Sequence, residues 1–189
     1  MFDFVNIKTI FLITHLFGVV FGMGAAFMTD IMFLKSVKDK ILSPEELSFL
    51  SLGSKVVWVG LSIIILSGIG LFYLDPENYL NSSKFLTKMF IVLVLTINGI
   101  FFHFKHLPLL YRQALKKLPE SEEFIRKSSF LFVSGAISSI SWISTLILGV
   151  FRGIPYEFGV LVSVYLVVIL FGVVGALILR RVFLSDTLI

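Results

Sequence analysis

The chain has 189 residues, of which 57% are hydrophobic and only 15% charged, with a mean hydropathy of +1.00 and a net charge of +4. Soluble domains carry about 25% charged residues, so the composition excludes a water-soluble enzyme, and the basic balance reads as a topology signal and not as a nucleic-acid footprint. The absence of cysteine excludes disulfides, thiolate metal sites and covalent haem attachment through Cys-x-x-Cys-His.

Five apolar stretches, at residues 9–34, 56–74, 85–104, 130–150 and 160–179, are each long enough to cross a bilayer as a helix, which takes about 20 residues. The second, fourth and fifth carry no charged residue. The pattern predicts an all-α, polytopic integral membrane protein. A single transmembrane domain over 1–189 would hold helices at about 7–35, 45–74, 84–110, 122–151 and 157–183. The first stretch is longer than a signal-peptide core and no small-x-small cleavage site follows it, so it is expected to be a retained span. Helix 1 is expected at the centre of a four-helix bundle, with helix 5 at the periphery.

The charges orient the bundle. One end carries Lys35, Lys38, Lys40, Lys55, Lys105, Arg112, Lys116, Lys117, Arg126, Lys127, Arg180 and Arg181, which is 12 of the 16 basic residues. Lys8, Lys84, Lys88 and Arg152 fall at the other. The positive-inside rule puts the rich end in the cytoplasm, the N-terminus outside and the C-terminus inside, as in an inner (plasma) membrane. Ser43-Pro44-Glu45-Glu46 has the form of a capping box that starts helix 2. Asp75-Pro76-Glu77-Asn78 reads as a turn. Residues 109–118 continue helix 3 outward, Pro119 stops them, and Ser121-Glu122-Glu123 opens helix 4. The lysines and arginines of that loop face anionic headgroups or a partner protein.

Ionisable groups inside spans are functional candidates by default. In helix 1, His15 is followed by Gly18 and Gly22 on one face, continued by Ala25, Ala26 and Thr29. This stripe suits close helix packing through Gly18-x-x-x-Gly22 or a flat cofactor stacked on the glycines with His15 as axial metal ligand. His15 itself is either a ligand or a buried, hydrogen-bonded imidazole. Asp30 is expected to pair with Lys35, Lys55 or a neighbouring helix, and a proton relay would lack a second intramembrane carboxylate. Met28 and Met32 lie one turn apart with Met23 off their face, which suits core filling better than a Cu(I) site.

Lys88 opens helix 3 about 5 Å in depth from His15, near enough to bracket one site on the outer side, or it snorkels to the headgroups. His103 and His106, on the order of 20 Å further through the membrane, are interfacial anchors or a second site, and His103 cannot share one iron with His15. Trp58 and Ser62 share a face of helix 2. Ser134, Ser138, Ser141 and Thr145 make a polar face on helix 4 that hydrogen-bonds across the bundle or lines a pocket, with Trp142 beside it. Helix 5 has only Ser163 and Tyr165 as main polar groups.

His15 early in helix 1, the glycine- and alanine-rich stretch after it, and Lys84-Phe-Leu-Thr-Lys88-Met-Phe-Ile-Val-Leu-Val-Leu at the start of helix 3 resemble the membrane-embedded bacterial protoporphyrinogen oxidases and the related copper-resistance-D-like membrane proteins. The resemblance covers about residues 7–106. It implies a b-type haem near the outer leaflet, with His15 as iron ligand, Gly18 and Gly22 against the ring and Lys88 beside it. A possible redox role would follow, with quinone or porphyrin as partner. Where those oxidases have an aromatic-Pro-Arg segment late in helix 1, this chain has Phe27-Met28-Thr29-Asp30. Where they have Tyr-His after the lysine, it has Ile97-Asn98. The competing expectation is a membrane protein without haem and without catalysis, either a subunit of a complex or a transporter of small solutes or metals. An oligomer is compatible with either.

Overall fold

A computed structural model describes residues 6–151 and 153–185, so Arg152 of the charge pattern lies outside the described residues. Five helices in it are long and apolar enough to span a membrane. The protein is an all-α integral membrane protein.

Helix α1 (Ile7–Asp39) starts where the Asn6 side chain accepts the Thr9 N–H at 2.9 Å and ends where Lys40 turns left-handed at φ 64°. Its 33 residues make about 50 Å at about 1.5 Å each, well beyond the ~30 Å hydrocarbon core. It therefore runs past the expected stop at 35 and carries Lys35 and Lys38 clear of the apolar layer. Helix α2 (Pro44–Leu74) opens with the predicted capping box, Ser43 and Glu46 each bonding the other's backbone at 3.1 Å.

The turn expected after α2 is a short helix, α3 (Pro76–Leu80). Pro76 sits in its first turn, and the Asn78 amide donates to both Asp75 carboxylate oxygens at 2.9 and 2.8 Å.

Helix α4 (Ser83–Phe101) passes through one π-helical turn (Phe102–His106) into α5 (Leu107–Arg112), and the three form one span. The chain leaves the helix at Arg112 and not at Pro119. Leu115 adopts φ 60°, its N–H donates to the Leu42 carbonyl, and the Leu118 N–H donates to the Lys40 carbonyl at 2.8 Å. Cross-loop backbone bonds replace helical ones, with Ile41 and Lys117 paired as an isolated β-bridge. Ser121 then caps α6 (Glu122–Val150), as expected, and α7 (Phe158–Ser185) follows.

Antiparallel α1 and α2 lie together along their length, α6 packs on α4 and α1, and α7 lies against α6 and α4. Only 6% of the most apolar stretch of α7 is buried, against 17–28% in the other spans, so α7 is peripheral as expected. Helix α1 is not the centre: α2 and α6 reach 28% and α1 only 17%. Large apolar side chains point outward on every span, among them Val20, Leu66, Leu93, Phe130 and Phe171. In water this would be a liability, whereas in a bilayer it is the lipid contact.

Candidate functional site

The basic end and the opposite end of the bundle hold different chemistry. At the opposite end, His15 Nδ1 lies 3.0 Å from the Ser67 hydroxyl of α2, and the His15 ring touches the surface over Gly68. Lys88 of α4 lies at the same end of the bundle as His15. Lys88 is half-buried and makes no ion pair among the described residues.

The glycines beside His15 are under α2. A Cβ on Gly18 would meet Ile64 and the Gly60 carbonyl at 2.8 and 2.9 Å, and one on Gly22 would run into the Trp142 ring. A Cβ on Gly60 would strike the Gly22 backbone. One heptad along α2, Gly53 receives the Thr29 methyl. Gly18, the Gly22 backbone and Thr29 thus meet α2 through residues small enough to let two backbones touch, while the open side of Gly22 receives Trp142 of α6.

Toward the basic end the bundle opens into a small cavity of about 50 Å³. Its polar lining comes from four helices: Thr29 and Asp30 on α1, Ser54 on α2, Asn98 on α4, and Ser134 and Ser138 on α6. Trp58 and Trp142 close it. Asn98 and Ser134 bind reciprocally: the Asn98 amide donates to the Ser134 carbonyl at 3.0 Å, and the Ser134 hydroxyl donates to the Asn98 side-chain oxygen at 2.9 Å. One Asp30 oxygen accepts from Ser139 of α6 at 2.7 Å, and its carboxylate faces Gly135, where a Cβ would come within 3.3 Å. Asp30 therefore pairs with a neighbouring helix and not with a lysine. Lys35 is taken by Asp39 and Glu46, and no ion pair among the described residues includes Asp30.

Asp30, Gly135 and Ser139 also border a second cavity, of about 190 Å³, whose other walls are apolar: Phe33, Leu131 and Phe132 on one side, Ala176 and Leu179 of α7 on the other. Beyond it, α7 is held to α6 by Tyr165 and Ser141 at 2.8 Å, and by Arg180, which donates to the Ser128 hydroxyl at 2.7 Å and the Ile125 carbonyl at 2.8 Å.

His103 Nδ1 lies 3.3 Å from the hydroxyl of Ser54, which lines the first cavity. His106 is turned inward, its Nδ1 buried without a hydrogen-bond partner and its ring edge-on to Phe102. Ser54 and Ser67 are thirteen residues apart on α2, so the two histidines they hold are separated by about 20 Å along its axis, as expected. The methionines do not gather: Met23 and Met32 pack on different clusters and Met28 is exposed. No group of three or more His, Asp or Glu that could hold a metal ion forms among the described residues.

Of the hydroxyl face expected on helix 4, Ser134 and Ser141 cross to other helices and Ser138 lines the cavity, while Thr145 bonds its own helix at Trp142. Ser62 is exposed, away from Trp58 in the cavity wall. The residues that sequence reasoning missed include Asn98, Ser139 and the α2 serines Ser54 and Ser67 that meet the two histidines. A lone asparagine in an apolar span was the available signal, since such a residue needs an interhelical partner. The chain matches no protein-family model, no curated protein and no solved structure.

Proposed function

We propose that this protein belongs to the transporter class, with the polar cavity at Asp30 as its working site and its basic end on the cytoplasmic side of an inner (plasma) membrane. One observation carries the reading: six polar side chains from four apolar spans meet at one cavity. Each charged group at a helix centre costs about 2.5–3.5 kcal/mol on insertion scales, and those that persist face the bundle interior and mark ion or solute pathways. The cavity, about 50 Å³, is far below the roughly 300–1,000 Å³ of sites for drug-sized ligands. The species it takes is of the size of a water molecule, a proton carrier or a bare cation. In proteoliposomes, dye-reported H⁺, Na⁺ and K⁺ flux and light-scattering water permeation should reveal at least one species that crosses faster than in protein-free vesicles. Asp30→Asn should remove that excess. Vesicles as tight as the protein-free ones overturn the reading.

A second reading keeps haem b at the opposite end, and Lys88, half-buried with no ion pair among the described residues, favours it. His15 would hold the iron and Lys88 a propionate. Gly18 and Gly22 do not fit the role of a stacking surface, because Gly60, Ile64 and Trp142 cover them. Bound haem would supply one-electron chemistry, with quinone or porphyrin as partner. Protein purified in mild detergent after expression with ample haem should then show a Soret band that His15→Ala removes and His103→Ala leaves intact. A colourless protein ends this reading.

A further inference from the structure

We propose that His103, Ser54 and Asp30 form a proton relay that leads from the basic end of the bundle into its interior. The inference rests on the transport reading and names the species moved. Ser54 is the link. It is 5% exposed, it touches His103 Nδ1 at 3.3 Å on one side, and it lines the cavity that Asp30 lines on the other. A cavity of about 50 Å³ holds a few waters at roughly 10–15 Å³ each, provided polar groups anchor them. Those groups are present. Asp30 has one oxygen on Ser139 and no cation partner among the described residues. The Trp142 indole N–H, also in the cavity wall, is buried without a hydrogen-bond partner. A buried N–H of this kind needs an acceptor, which a cavity water would supply.

The charges nearest in sequence to the two ends, Lys35 for Asp30 and Lys105 for His103, are both exposed, and Lys35 is held by Asp39 and Glu46. No ion pair among the described residues includes His103 or Asp30. A calcium ion would want six to eight oxygens, and no cluster of three His, Asp or Glu exists among the described residues to provide a cage. A proton needs one carboxylate and a chain of hydrogen bonds. The step is balanced: the His103 imidazolium gives its Nδ1 proton to the Ser54 oxygen as the Ser54 hydroxyl proton passes to cavity water. The excess proton then reaches the Asp30 carboxylate, which becomes the neutral acid. His103, left neutral with its remaining proton on Nε2, regains an Nδ1 proton from water at the basic end after its ring turns. Return of the ring, rotation of the Ser54 hydroxyl and release of the Asp30 proton to water toward the opposite end reset the chain.

The test is proton uptake into proteoliposomes under a K⁺ diffusion potential, read by an entrapped pH dye, with Na⁺ flux measured in parallel and each variant checked for monodisperse elution. Asp30→Asn should stop proton uptake and Asp30→Glu should retain it. His103→Ala and Ser54→Ala should slow it by about a hundredfold, the low end of what a positioned acid–base group contributes. Imidazole added to the bath should restore His103→Ala and leave Asp30→Asn silent, which a merely structural histidine would not do. Wild-type uptake in His103→Ala or Asp30→Asn, or no rescue by imidazole, overturns the relay. Asp30-dependent Na⁺ flux without proton flux overturns the relay and leaves the transport reading standing. Absence of any flux removes both.

Discussion

The basic end and the middle of the bundle are packed by opposite means. At the basic end, Val37, Leu42, Leu50, Leu110, Leu118 and Phe124 are at most 1% exposed and form one cluster of large side chains. In the middle, α1 meets α2 through Gly18, Gly22, Gly53 and Gly60, while leucines and phenylalanines of the same helices face outward. The difference follows from solvent. Burying a leucine is favourable where the alternative is water. Where the alternative is a lipid tail the driving force vanishes, and close backbone contact with interhelical hydrogen bonds takes its place. The cluster at the basic end is thus organised like the core of a small soluble protein, capped helices included.

The comparison breaks most sharply at Phe124. Phe124→Ala should destabilise by about 3–5 kcal/mol, the cost of a cavity in a well-packed core, measured by unfolding in mixed micelles. A loss under half of that would mean that the basic end is not water-driven. Next comes Gly60→Ala, whose single methyl meets the Gly22 backbone and the Gly18 carbonyl. Backbone cannot step aside, so the expected cost is about 1–3 kcal/mol from overpacking. Gly175→Ala, with open space around it, serves as the neutral control, and equal behaviour of the two would dissolve the glycine seam. The smallest effects sharpen the picture. Asn98→Ala and Tyr165→Phe each remove an interhelical hydrogen bond, worth about 0.6 kcal/mol on average and at most about 1.7 in a membrane protein. Asn98→Ala should be the larger, because it breaks a reciprocal pair.

The spans, the capping box at Ser43, the Ser121 start of α6 and the peripheral place of α7 were legible because each depends on local composition or on a side chain three residues away. What lay beyond the sequence depends on rotation. A π-turn adds residues to one helical turn, so the face that His103 presents after Phe102 does not follow from the 3.6-residue period of α4. The period of the serines on α6 pointed to Ser134, Ser138 and Ser141, and the partner of Asp30 proved to be Ser139, one residue off that face. Lys35 looked available to Asp30 on charge alone, but the extension of α1 past the apolar layer carries it to Asp39 and Glu46. The place of His15 and Lys88 at one end of the bundle could be read from depth alone. The cover over Gly18 and Gly22 could not, because it comes from a glycine 38 residues beyond Gly22.

The backbone bonds from Leu115 to Leu42 and from Leu118 to Lys40 tie the α1–α2 loop to the α5–α6 loop. Mechanically this is a clasp at one end of a pair of tongs. The α1–α2 arm and the α4–α6 arm cannot part there without tearing both bonds, so any rocking between the arms pivots at the basic end and is widest at the level of His15 and Lys88.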